Sequence, residues 1–272
     1  MAPIATSKPQ NATSSNYSSA KLLKIIEAMA YARRPLRLQE IAQIVDIPQS
    51  TVSRFLVPLM MSGYVMQNSE TLKYQLTTKL SHIGELIRAQ FNIRDVCRPY
   101  LYALSKDAKE TAYISVEENM LVVCLDTVDA PMTSGAPLAQ APLYTGRTDS
   151  MHATAAGKIL LLNYHAEQLE QYFASRGLSR KTEKTITSKE RFLLTLAQTR
   201  KDGYAISDEE NTEGYRSIAA PVYDYDGKVI AALGIIGTAK HMNYQDIQVK
   251  KEAVLDASAR FSSSLGYRPE QS

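Results

Sequence analysis

Cysteine is scarce in this chain, with 2 in 272 residues. Cys97 and Cys124 form no C-x-x-C and have no cysteine–histidine spacing suited to zinc, so two reduced structural thiols are expected rather than a metal site or a disulfide framework. Long apolar runs are missing as well. No segment approaches the roughly 20 residues that cross a bilayer, and the opening MAPIATSKPQNATSSN lacks the apolar core of a signal peptide, which makes the cytoplasm the expected location. Hydrolase signatures are absent too: there is no G-x-S-x-G, and none of His82, His152, His165 or His241 sits in an H-E-x-x-H spacing. No catalytic residue, metal ligand or cofactor site is indicated, and there is no internal repeat. What is present is 44% hydrophobic content, enough to bury a sizeable core, in a length that suits two domains better than one.

The net charge of +3 is unevenly placed. Residues 1–90 carry 10 Lys/Arg against 5 Asp/Glu, and residues 91–272 carry 21 against 23. A basic small domain joined to a mildly acidic larger one suits a nucleic-acid reader attached to something else.

Residues 1–17 are rich in Ser, Thr, Asn, Ala and Pro without periodicity and read as a disordered tail. Order is expected from Ser18, where Leu22, Leu23, Ile26, Met29 and Ala30 recur at helical spacing behind a Ser18 or Ser19 cap, with Pro35 beyond the stop. Leu38, Ile41, Ala42 and Val45 mark a second helix. Pro48 suits the first position of a third, in which Val52, Phe55, Leu56 and Leu59 form an apolar stripe opposite Gln49, Ser50, Ser53, Arg54 and Val57. Gly63 is its stop, and Pro58, inside it, is expected to bend it. Two short strands, 64–67 and 73–76, follow around Asn68-Ser69-Glu70. Three helices and a hairpin describe a winged helix-turn-helix over 18–77, and an amphipathic linker helix is expected over 78–94.

Residues 95–268 read as an α+β domain, one sheet with helices packed on it. A helix near 96–108 precedes the strand pair TAYISV and LVVCLDTV, with a turn at Glu117-Glu118-Asn119. Helices are expected at 153–162, 166–176 and 188–201, the last behind a capping box from Thr187 to Glu190. SIAAPVYDYDGKVIAALGIIG pairs through Asp226-Gly227, and a closing helix runs from an Asn243 cap to Gly266.

A helix in the major groove needs short polar side chains near its N-terminus and a longer donor for a guanine edge or a phosphate. Gln49, Ser50, Thr51, Ser53 and Arg54 supply these, and Arg37 and Lys73 are the basic residues that join them as DNA-binding candidates. MHATAAGK fails as a phosphate loop, because His152 and Ile159 stand where Gly and Ser or Thr are required. What remains is a helix start rich in small residues, able to hold a carboxylate or simply to pack closely. The cluster Asp208, Glu209 and Glu210 reads either as solvated loop charge or as general acids or metal ligands.

LQEIAQIVDIPQSTVSRFL, MHATAAGKILL and DGYAISDEENTEGYRSIAAPVYDYDGKVIAALGIIG together resemble the IclR family of bacterial transcription regulators, over nearly the whole chain. The resemblance implies a winged-helix DNA-binding domain and a GAF/PAS-like α/β domain. It also implies dimers, often assembled as tetramers, whose affinity for operator DNA changes with a small organic, aromatic or sugar acid. Matched position by position, it points to Ala155 and Ala156 through their backbone N–H groups, and to Ser207, where some members are acidic. Tyr215 and Ser217 follow, then the neighbouring Asp208, with Met151 as a wall. Two competing classes are an enzyme working through Asp208, Glu209 and His152, and a ligand-binding module whose helix-turn-helix contacts protein.

Overall fold

A computed structural model describes residues 13–90, 92–130 and 142–269. The chain divides into two compact units between residues 91 and 92. In the first, α1 (Thr13–Tyr31), α2 (Leu38–Val45) and α3 (Gln49–Met61) precede a hairpin of β1 (Val65–Gln67) and β2 (Tyr74–Leu76), and α4 (Lys79–Gln90) closes the unit. Helix α1 begins ahead of Ser18, so residues 13–17 are helix rather than tail; residues 1–12 lie outside the described residues. Its buried stripe is Ile25 and Met29, with Leu22 and Ile26 partly covered, while Leu23 is 57% exposed. The stripe is therefore turned from the expected one, because Leu22, Ile25, Ile26 and Met29 keep the tighter 3-4 spacing of a single face.

Ile41, Ala42 and Val45 of α2 meet Val52, Leu56 and Leu59 of α3 in one core with Leu36 and Val65. Each fully buried aliphatic side chain there contributes roughly 1.5–3 kcal/mol. The turn between the two helices is made by Asp46, in the left-handed region at φ 56°. Pro48 is the N-cap of α3 rather than its first helical residue: it is extended, at φ −54° and ψ 139°, and its carbonyl accepts the Thr51 and Val52 amides. Helix α3 runs through Pro58 to Met61. Pro58 is exposed, so the Arg54 carbonyl that it leaves without an amide lies where water can reach. Backbone bonds between Leu36 and Tyr74 form an isolated antiparallel bridge that ties the α1–α2 loop to the hairpin.

The second unit is a six-stranded antiparallel sheet, ordered β5-β4-β3-β8-β7-β6. Its strands are β3 (Thr111–Glu118), β4 (Leu121–Val128), β5 (Thr148–Ser150), β6 (Ala205–Asp208), β7 (Tyr215–Tyr223) and β8 (Val229–Thr238). Helices α5 (Ile93–Ala108) and α9 (Tyr244–Ser264) cover one face, over a core that includes Leu101, Ile114, Ile235 and Phe261. Helices α6 (Ala155–Leu160), α7 (Ala166–Arg176) and α8 (Lys189–Asp202) accompany the other core, with Tyr113, Ile159, Tyr172 and Phe192. Sheet residues alternate between the two cores, as strand periodicity requires.

Several boundaries differ from the expected ones for local reasons. The β3–β4 turn falls at Asn119-Met120, both left-handed at φ 52° and 61°, because the Glu117 carboxylate accepts the Met120 amide at 2.7 Å. Helix α6 starts at Ala155, not Ala153, since Thr154 is its cap and takes the Gly157 amide on its hydroxyl. Ser188, not Thr187, caps α8; Glu190 binds the Ser188 hydroxyl at 2.7 Å instead of closing a box. Both thiols are buried, and burial pushes Cys97 and Cys124 up to about 12, so they stay protonated. No helix among the described residues is long and apolar enough to cross a membrane.

Candidate functional site

Two surfaces gather the polar residues singled out in the sequence. On α3, Gln49, Ser50 and Arg54 are exposed and Thr51 and Ser53 half-buried, while Val52, Leu56 and Leu59 on the other side are at most 5% exposed. The first turn holds no acidic residue and no side chain caps it. Its free amides and positive dipole end therefore stay open to a phosphate, beside short side chains that permit close approach. No ion pair among the described residues occupies Arg54, whose guanidinium carbon lies 5.9 Å from the Phe55 ring centroid. In the antiparallel register of the Leu36–Tyr74 bridge, Arg37 falls opposite Lys73. Arg37 is exposed, and its amide donates to Glu40 at 2.7 Å, while the other Glu40 oxygen pairs with Arg34 at 2.8 Å.

The second surface is a cleft on the α6 side of the sheet, with about 490 Å³ between its walls, part of it open to solvent. Tyr113, Ser115, Val122, Ser217 and Ile236 come from the sheet; Thr154 and Ala156 come from the start of α6; Ser207, Asn211, Thr212 and Tyr215 belong to β6, β7 and the loop between them. Pro142, Leu143 and Asp149 complete the rim. Ser207 and Ser217 are cross-strand partners, and the Ser207 hydroxyl donates to the Ala153 carbonyl at 2.8 Å. The Thr154 hydroxyl accepts the Gly157 amide at 3.1 Å, leaving the first-turn amides of Ala155 and Ala156 without intrahelical partners. A Cβ at Gly157 would overlap the Met151 backbone, so the small residues of this segment also serve close packing.

The charged lining residues are already committed. Asp149 takes two bonds from Arg147, at 2.8 and 3.0 Å, and one from Asn211 at 3.0 Å. Arg216 alternates with Tyr215 and Ser217, so its guanidinium is on the other face, where it binds Asp208 at 2.5 Å and the carbonyls of Ala239 and Met242 at 3.2 and 3.0 Å. Burial draws the Asp208 carboxyl upward, but hydrogen bonds from Arg216 and Tyr244 and the nearby charges more than offset it and leave it below its ordinary value. Glu209 is held low by Lys184, at 2.5 Å, and by the Gly214 amide. Glu210 is buried against Lys158 at 2.5 Å. His152 is buried as well, its ring nitrogens engaged by the Tyr172 hydroxyl at 3.3 Å and the Ser179 carbonyl at 2.9 Å. None of these groups stands free as an acid, base or nucleophile. The carboxylate cluster does structural work.

A family model for the IclR helix-turn-helix domain matches residues 18–69, and one for the C-terminal domain of the bacterial transcriptional regulator IclR matches residues 87–263. The chain belongs to the IclR family. The HTH-type transcriptional regulator KdgR of Escherichia coli is 32% identical over 92% of this chain and 93% of its own length. The transcriptional repressor IclR of Escherichia coli is 30% identical over 94% and 92%. The crystal structure of the Thermotoga maritima IclR is 25% identical, with a TM-score of 0.58 over 93% of this chain and all of that one. These relatives are transcription regulators, not enzymes, and this chain is likewise a DNA-binding regulator of the IclR type.

Within this IclR chain the cleft gathers Ala156, Ser207, Tyr215 and Ser217, but not Met151, Ala155 or Asp208. Met151 is fully buried behind α6, and Ala155 is buried beside it in the same core. Asp208 points away because it alternates with Ser207, and its oxygens are taken by Arg216, Lys184 and Tyr244. Tyr113, Ser115, Thr154, Asn211 and Thr212 also line the cleft and escaped sequence reasoning. Only the Thr154 capping pattern carried a local signal for its position.

Proposed function

We propose that this IclR-family chain is a cytoplasmic, ligand-responsive transcription regulator. It binds a roughly palindromic operator as a homodimer, two of which form a tetramer, with α3 of each subunit in a major groove. A small organic, aromatic or sugar acid held in the cleft changes operator affinity. The observation that carries this reading is the cleft itself: hydroxyl and amide groups set among apolar side chains, bounded by the start of α6. Ala156, Ser207, Tyr215 and Ser217 are the effector contacts, while Gln49, Ser50, Thr51, Ser53, Arg54, Arg37 and Lys73 face DNA.

Ser217→Leu tests it, because a larger apolar side chain on the floor fills the space while α3 keeps its sequence. A duplex selected by the wild-type protein from a random pool is titrated in a mobility-shift assay, with and without a panel of organic, aromatic and sugar acids. The variant binds the duplex like wild type and loses the response to the acid that acts on wild type. A normal response places the effector elsewhere.

A further inference from the structure

Tyr113 on β3 pairs directly with Gly234 on β8, and Gly234 in turn pairs with Ala219 on β7, one alternate residue from Ser217. Gly234 has no side chain to stand between the strands. A Cβ there would come within 2.8 Å of the Tyr113 phenolic oxygen, so the ring lies across β8 over the glycine. Ser217, on the next strand but one and two residues along β7 from Ala219, lies on the same face of the sheet as the Tyr113 ring. Tyr113 is 3% exposed and Ser217 8%, and both line the cleft. Burial raises the phenol well above its ordinary value, so it stays neutral and both donates and accepts.

The charged residues around them are spent in ion pairs within the protein, which leaves uncharged hydroxyls as the groups facing the middle of the cleft. A buried hydroxyl pair of this kind discriminates strongly. A ligand oxygen placed beside it exchanges hydrogen bonds with both residues, whereas a CH group in the same place desolvates them without compensation.

We propose that Tyr113 and Ser217 form the specificity-determining pair of the cleft, reading a hydroxyl on the effector. This rests on the reading of the cleft as an acid-binding site. The ligand class that follows is a hydroxylated acid, distinguished from its deoxy counterpart by the Tyr113 ring lying over Gly234.

The test is a thermal-shift and calorimetric titration of the full chain with matched pairs of acids: 4-hydroxybenzoate against benzoate, malate against succinate, and gluconate against hexanoate. Wild type binds the hydroxylated member of at least one pair at least about tenfold more tightly, the 1.4 kcal/mol that one well-made hydrogen bond contributes. Tyr113→Phe keeps the ring and its packing, and removes most of that preference while leaving the deoxy member's affinity within about twofold. Ser217→Ala acts in the same direction. Wild-type binding with no preference for the hydroxylated member, or a preference that survives in both variants, overturns the proposal and leaves the acid site standing. No binding of any acid to wild type overturns the acid-site reading and the proposal with it.

Discussion

Lys158→Met isolates the buried pair that joins two walls of the cleft. Lys158 lies in α6 and is 1% exposed; Glu210, 8% exposed, lies in the β6–β7 loop next to Asn211 and Thr212. The Lys158 ammonium donates to Glu210 at 2.5 Å and to the Ile206 carbonyl at 2.8 Å, while the second Glu210 oxygen has no hydrogen-bond partner among the described residues. Burial lowers the Lys158 pKa and raises that of Glu210, each opposed by the attraction of the other. The pair as a whole therefore contributes little net stability. Either charge left alone is costly, because its desolvation is no longer offset. Removing the ammonium should cost about 3–5 kcal/mol at pH 7. The double variant Lys158→Met/Glu210→Leu should return to within about 1 kcal/mol of wild type, a coupling energy above about 2 kcal/mol. Urea unfolding of the full chain followed by circular dichroism measures this on the transition of the second unit. A single-variant loss below about 1 kcal/mol, or a double variant that loses the sum of the two singles, refutes the reasoning.

Two further perturbations have defined signs. Burial holds the His152 imidazole below its ordinary pKa, against the pull of the Ser179 carbonyl, so the unfolded chain binds a proton that the folded chain refuses. Stability should fall as pH drops from about 6.5, and His152→Gln should flatten this part of a stability-versus-pH curve; equal slopes in the two proteins contradict the assignment. In α3, Pro58→Ala returns an amide partner to the Arg54 carbonyl. Interior proline costs about 3 kcal/mol, offset by about 0.4–1 kcal/mol of unfolded-state entropy and by relaxation of the helix, so a gain of about 1–2 kcal/mol in denaturant unfolding is expected. No gain, or a loss, means the native helix has already absorbed the proline.

Local patterns were the readable part of this chain. Helix α7 spans Ala166–Arg176 as its periodicity suggests, and the α2–α3 pair follows from stripes that repeat every three to four residues. Long-range pairings left no comparable trace. Strand β5 is three residues, Thr148–Ser150, and is a strand only because β4 lies beside it. Tyr113 enters the cleft because β3 pairs with β8, whose sequence lies more than a hundred residues further on. The carboxylates after β6 showed the same limit: strand alternation separates Ser207 from Asp208, but only the fold supplies Arg216, Lys184 and Tyr244 to occupy Asp208. Ser207 and Ser217 were legible as cleft residues through the motifs that contain them, and Ser115 and Asn211 were not.

The measurement that bears most directly on recognition through α3 is the binding of Arg54→Ala to the duplex selected by wild type, titrated over a range of salt concentrations. Arg54 is exposed and outside every ion pair of the described residues, so its removal should leave the melting temperature near wild type. Recognition through this helix predicts binding weakened by at least about tenfold, with a shallower salt dependence if the guanidinium meets a phosphate and relaxed sequence preference if it meets a base. Undiminished affinity with unchanged sequence preference would contradict it and remove α3 as the reading element.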